Sequence, residues 1–177
     1  MAGKKGKLKL LHNIIGKKMY KVGSKKYKEQ MMIHRRLFKM CYDIYKKRGN
    51  NIISSLKNSI IAANTKEYKA IFRKHYLENV ESNILEDCLK YYQDIVDDLQ
   101  KRVDNGTYDE DDIRVCSECG IPMHEGYYLA GEYACDIECC LERYDNDEAQ
   151  MKEDLSHASE DNSDVYYTEW ESIFYDD

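Results

Sequence analysis

The sequence predicts a mainly α protein: an N-terminal bundle of about four helices, then a small treble-clef-like module built on cysteines, then an acidic tail. Three observations carry this. Apolar residues recur at helical spacing through the first hundred residues. The chain of 177 residues has one proline, Pro122, so little interrupts those helices. Five of its seven cysteines fall between Cys116 and Cys140.

Residues 1–23 read as a loosely ordered basic arm with lysines at 4, 5, 7, 9, 17, 18 and 21 and four glycines. Ser24 is placed to cap a helix that runs to about Lys47, with Tyr27, Met31, His34, Phe38, Cys41 and Tyr45 on one face. Gly49-Asn50 stops it. A second helix fits Asn51–Ala63, burying Ile53, Leu56 and Ile60. Asn64 or Thr65 caps a third, with Tyr68, Ile71, Phe72, His75 and Tyr76 as its stripe. The fourth begins at Ser82 and carries the clearest pattern, Leu85, Cys88/Leu89, Tyr92, Ile95/Val96, Leu99 and Val103. Asn105-Gly106 ends it, so the helical domain spans 24–106. Asp109 to Asp112 marks a linker into the cysteine module at 113–144. Residues 145–177 form the acidic tail, with twelve acidic residues against Lys152. Its first part, through Ser163, has the composition of a disordered segment, and its end is rich in aromatic residues.

In the module, Cys116 and Cys119 form a C-x2-C knuckle followed by Gly120. Tyr127-Tyr128-Leu129 and Glu132-Tyr133-Ala134 flank Gly131 as a short hairpin. Cys135 then stands where a helix starts, and Cys139 lies one turn on, so both sulfurs can face one point. Two pairs of soft ligands in this arrangement suit one Zn2+, bound tetrahedrally at about 2.3 Å per sulfur. Cys140 competes with Cys139 for the fourth place, but at i+5 from Cys135 it turns away. His124 is a further candidate in a more open site. A filled four-cysteine site leaves no position for water, so the zinc is expected to be structural. Four thiolates on one zinc leave a charge of −2, and one or both of Arg114 and Arg143, which flank the module, are expected to hydrogen-bond toward the sulfurs, the alternative being that they are surface arginines.

The stretch from Cys116 to Cys119, Gly120, Pro122-Met123 and Glu125-Gly126-Tyr127, with Cys135, Cys139 and the ending Tyr167-Thr168-Glu169-Trp170, resembles zinc-finger accessory proteins of phages and mobile elements of low-GC bacteria. The resemblance covers about 113–171, and it departs at Asp136, where serine is usual. It implies a zinc-containing accessory protein acting in the cytoplasm of a bacterial host cell. It does not extend to the helical half.

Charge is strongly segregated. Residues 1–75 hold 21 Lys+Arg against three acidic residues, Glu29, Asp43 and Glu67, whereas residues 76–177 hold six against 30. A basic half of this kind fits a polyanion, here DNA, RNA or a nucleoprotein complex. The expected contacts are Lys25, Lys26 and Lys28, then Arg35, Arg36 and Lys39, then Lys46 and Lys47. Lys66, Lys69, Arg73 and Lys74 would face the backbone if helices two and three form a helix-turn-helix. Lysine outnumbers arginine 17 to four in this half, which favours backbone or shape recognition over base readout. The opposite reading of the same charges is that the two halves attract each other. Combined with the resemblance, the charge pattern also suits an inhibitor of an RNA-guided defence nuclease, in the manner of an anti-CRISPR. A protein-interaction scaffold using Tyr166, Tyr167, Trp170, Phe174 and Tyr175 is the alternative.

Other classes find little support. No apolar run approaches 18 residues, and the basic start is not followed by the apolar core of a secretory signal. There is no P-loop, dinucleotide fingerprint or nucleophile elbow. A metal-dependent nuclease needs a histidine base and an open metal position, and after residue 76 only His124 and His157 occur. No enzyme activity is expected.

Overall fold

A computed structural model describes residues 20–76, 83–160, 162–170 and 172–174, with the side chains of 72–76 outside that description. Most of the basic arm, Ser82 and the side chains of Arg73 and Lys74 therefore lie outside the described residues.

The architecture is mainly helical with a small sheet. Helix α1, Lys25–Lys47, starts where Ser24 accepts a hydrogen bond from the Tyr27 N–H (3.2 Å), and it ends at Gly49 with φ +85°. Helix α2, Ile52–Ala63, is capped by Asn51, which accepts from the Ser54 N–H at 2.8 Å. Helix α3, Lys66–Tyr76, has Thr65 Oγ1 accepting from the Tyr68 N–H. Helix α4, Asn83–Asn105, ends against Gly106 at φ +71°. Asn83 also clasps the chain ahead of α1, accepting from the Tyr20 N–H and donating to its carbonyl.

Helices α1, α2 and α4 pack on one another and build the core. Phe38 of α1 stacks flat on Tyr92 of α4, ring centroids 3.8 Å apart, and Leu56, Ile95 and Leu99 are fully buried beside them. Among the described residues, α1, α2 and α4 form the centre of the helical part, and the shorter α3 flanks it. That helix packs through Tyr68 against Leu37, Ala63 and Leu85, while Ile71 and Val103, both expected inside, lie exposed. In α2 the buried face turns toward Ile52, Ser55, Leu56 and Ser59, because the small serines allow close approach. The Ser59 hydroxyl is satisfied by donating to the Ser55 carbonyl at 2.7 Å.

A three-stranded antiparallel sheet follows, from β1 (Glu125–Leu129), β2 (Glu132–Ala134) and β3 (Val165–Glu169), in the order β2-β1-β3. Strands β1 and β2 form a hairpin, with Tyr128 opposite Tyr133. Ala130 and Gly131, both at positive φ, make its two-residue turn. Two short helices come next: α5, Ile137–Arg143, and α6, Glu148–Ser156. The second lies where disorder was expected. Asp147 caps it, and Met151 and Leu155, four residues apart, reach the core, enough to order a polar segment against a preformed surface. The aromatic tail docks on its own chain: β3, Val165–Glu169, pairs along β1, and Ile173 and Phe174 are buried. The core runs unbroken from α1, α2 and α4 into Ile113, Ile121, Met123 and Phe174. Among the described residues no helix is long and apolar enough to cross a membrane.

Candidate metal centre

The knuckle is formed by backbone. Gly120 takes φ +67° and its N–H bonds the Cys116 carbonyl at 2.8 Å, while the Cys116 N–H bonds the Ile121 carbonyl at 3.0 Å. A side chain is strained at such a φ, which is why glycine stands after the second cysteine. The Ser117 N–H bonds the Tyr133 carbonyl at 2.7 Å, tying the knuckle to β2. The hairpin then delivers Cys135 to the start of α5. Asp136 is the N-cap, accepting from the Cys139 N–H at 2.9 Å.

These elements bring the sulfurs of Cys116, Cys119, Cys135 and Cys139 within 4.8 Å of one another. Cys119 and Cys135 are 3.6 Å apart and Cys135 and Cys139 are 3.8 Å apart. The edge of a ZnS4 tetrahedron with bonds of about 2.3 Å is about 3.8 Å, so the separations fit a single metal ion. The fourth place goes to Cys139. Cys140 is not in the cluster; it is fully buried in the hydrophobic core, and burial pushes its thiol up to about 11.

The four thiols cannot all carry charge unaided. Hydrogen bonds from Cys119, Cys135 and Cys139 pull the Cys116 thiol well below its ordinary value, while the contact with Cys116 holds Cys135 and Cys139 above theirs. A cation at the centre removes that conflict. His124 is no part of it. Its Nε2 lies 3.5 Å from Asp98 of α4, its backbone N–H donates to Tyr91 Oη at 2.8 Å, and burial pushes its imidazole below the usual value.

The arginines expected as donors to the sulfurs have other partners. Arg114 is buried with its guanidinium 4.5 Å from the Trp170 ring centroid, and it donates to the Ser172 carbonyl. Arg143 pairs with Glu118 and Glu132 at the surface. The charged donor comes instead from α1: Lys39 Nζ lies 3.3 Å from Cys139 Sγ and pairs with Asp136. Burial opposes the Lys39 charge, but negative charge on the cysteine sulfurs and on Asp136 outweighs it and favours the ammonium form. One turn further along α1, Tyr42 Oη donates to the Gly120 carbonyl at 3.3 Å. Sequence reasoning placed Lys39 on the wet face and missed both contacts. The available signal was the Arg35, Lys39, Tyr42 spacing of four and three beside the apolar stripe.

Three residues expected to meet phosphates are therefore engaged within the chain. Arg35 pairs with Glu125 and lies 4.4 Å from the centre of the Tyr91 ring, Arg36 pairs with Glu138, and Lys39 with Asp136. The physical cause is charge complementarity: three carboxylates of the cysteine half face three cations on adjacent turns of α1. Lys25 and Lys47 form exposed pairs with Glu29 and Asp43 on their own helix. Lys26, Lys28 and Lys66 are exposed, and Lys46 and Lys69 are half-exposed.

Comparison of the chain with protein-family models, with curated proteins and with solved structures gave no match.

Proposed function

We propose that this chain is a non-enzymatic binding protein in which one structural Zn2+ on Cys116, Cys119, Cys135 and Cys139 holds the C-terminal half together. Its lysine-rich N-terminal half would engage nucleic acid or a nucleoprotein complex. The observation that carries the zinc reading is the set of four sulfurs within 4.8 Å of one another, with Cys119–Cys135 and Cys135–Cys139 at 3.6 and 3.8 Å, in a donor set typical of closed structural sites. The support for a polyanion partner is the charge of the first 75 residues, 21 Lys+Arg against three acidic residues. With Arg35, Arg36 and Lys39 paired to carboxylates of the C-terminal half, the lysines that would meet phosphates include Lys26, Lys28 and Lys66, which are exposed, and Lys46, which is half-exposed. The narrower form of this reading, an inhibitor of an RNA-guided defence nuclease, adds the acidic half as the nuclease-facing surface and rests on the sequence resemblance. The scaffold alternative has less support, since Trp170 packs on Tyr133 and Phe174 is buried in its own chain.

The test is binding of the zinc-loaded protein to labelled duplex DNA, single-stranded DNA and structured RNA across a salt series. The reading expects affinity that falls steeply with salt and is lost when Lys26, Lys28 and Lys46 become Glu. Absence of binding at low salt contradicts it.

A further inference from the structure

We infer that Lys39 is a positioning residue of the cysteine centre: its ammonium group holds the Cys139 thiolate, raises the affinity for the metal and makes helix α1 part of the site. The inference rests on the zinc reading above. It starts from charge. Four thiolates and one Zn2+ leave a net −2, and a low-dielectric site needs donors facing the sulfurs to hold it. Lys39 Nζ supplies one at 3.3 Å from Cys139 Sγ.

The geometry around this contact is closed. Asp136 accepts from the Cys139 N–H and also pairs with Lys39, so one carboxylate fixes both the ligand's backbone and the direction of the ammonium group. The side chains of Lys39 and Asp136 are 13% and 2% exposed, which separates this pair from surface ion pairs that water screens. The helix carrying Lys39 is held from both sides. Phe38 lies in the core stacked on Tyr92, and Tyr42 donates to the Gly120 carbonyl in the knuckle. Helix α1 thus touches each half of the metal site: Tyr42 the Cys116–Cys119 turn, and Lys39 the Cys135–Cys139 pair. Arg36 provides the contrast. It sits on the same helix and pairs with Glu138 of α5, but both side chains are about half exposed, 50% and 40%. A contribution from general attraction between the halves would appear equally at Arg36, whereas one from donation to sulfur would appear at Lys39 alone.

The experiment is titration of the full chain with Zn2+ against a chromophoric chelator, together with the absorption spectrum of the Co2+-loaded protein. Lys39→Met is expected to weaken zinc binding about 10- to 100-fold, the usual effect of losing a partner of a metal ligand. It should also shift the thiolate-to-cobalt charge-transfer bands, which a purely structural role would leave in place. Lys39→Arg should restore most of the affinity, and Arg36→Met should leave it near wild type. Should Lys39→Met not fold, Lys39→Gln, which keeps an N–H donor without the charge, is expected to give an intermediate loss. Wild-type affinity and an unshifted cobalt spectrum in Lys39→Met, or an equal loss in Arg36→Met, would overturn the inference while leaving the zinc site standing. A wild-type chain that takes up neither metal would instead overturn the zinc reading, and this inference with it.

Discussion

The helical half and the cysteine half contribute to one core, yet they reach it by different means. Eight of the 23 residues of α4 form a continuous buried stripe, and α1 and α2 meet it with Phe38, Tyr42 and Leu56. Between residues 113 and 144 the fully buried apolar set shrinks to a few side chains, chiefly Ile113, Ile121 and Met123, and the sulfurs occupy much of the remaining interior. A helix stripe spreads its stabilisation over many contacts, each replaceable at modest cost. A segment this short buries little surface of its own, so on the proposed zinc reading its stability would be concentrated in one cross-link. The two halves should therefore respond very differently to single changes.

The largest effect is expected at the cross-link. Structural zinc contributes about 10 kcal/mol or more to small finger modules, so Cys135→Ser should abolish stoichiometric zinc and disorder residues 113–144. The far-UV signal of α1, α2 and α4 should largely remain. Amide spectra in which the helical resonances also collapse would show that the halves do not differ in this way. Next comes Phe38→Ala, which removes the ring stacked on Tyr92 and should cost about 3–5 kcal/mol in denaturant unfolding of the zinc-loaded protein, with zinc stoichiometry unchanged.

A smaller effect is expected at Gly126, at φ +156°, where an added Cβ would fall 2.4 Å from the Ala134 carbonyl oxygen. Gly126→Ala should cost about 1–3 kcal/mol, read as a lower thermal midpoint, because the hairpin must open to admit the methyl group. The smallest concerns pH. Burial holds the His124 imidazole below its usual 6.5, so the unfolded chain takes up this proton first. Its contribution to stability is then level above about pH 6.5, falls as pH drops below it, and flattens beneath the folded-state value. His124→Gln should remove that slope from urea midpoints measured between pH 7 and pH 5.5.

Much of this comparison was legible in the sequence, for identifiable reasons. Ser24, Asn51 and Gly106 mark helix ends through local chemistry, and the Leu85-to-Leu99 stripe is a property of one helix. Cys135 and Cys139 are likewise related by one turn of one helix. What escaped is everything set between distant segments. Lys39 and Asp136 are 97 residues apart, and Arg35 and Glu125 are 90 apart, so no periodicity links them. Helix α6 escaped because its order comes from the surface beneath Met151 and not from its own composition. Ile71 and Val103 continue their helices' spacing yet lie exposed, since periodicity alone does not say which turns of a helix are covered.

The central claim, that one metal ion on four sulfurs closes the C-terminal half, is tested most directly by X-ray absorption at the zinc edge of the protein purified with its metal. Cys116, Cys119, Cys135 and Cys139 predict one zinc per chain with four sulfur neighbours at about 2.3 Å and no nitrogen or oxygen neighbour. A shell with fewer sulfurs and a light atom, or a folded chain without metal, would contradict the account.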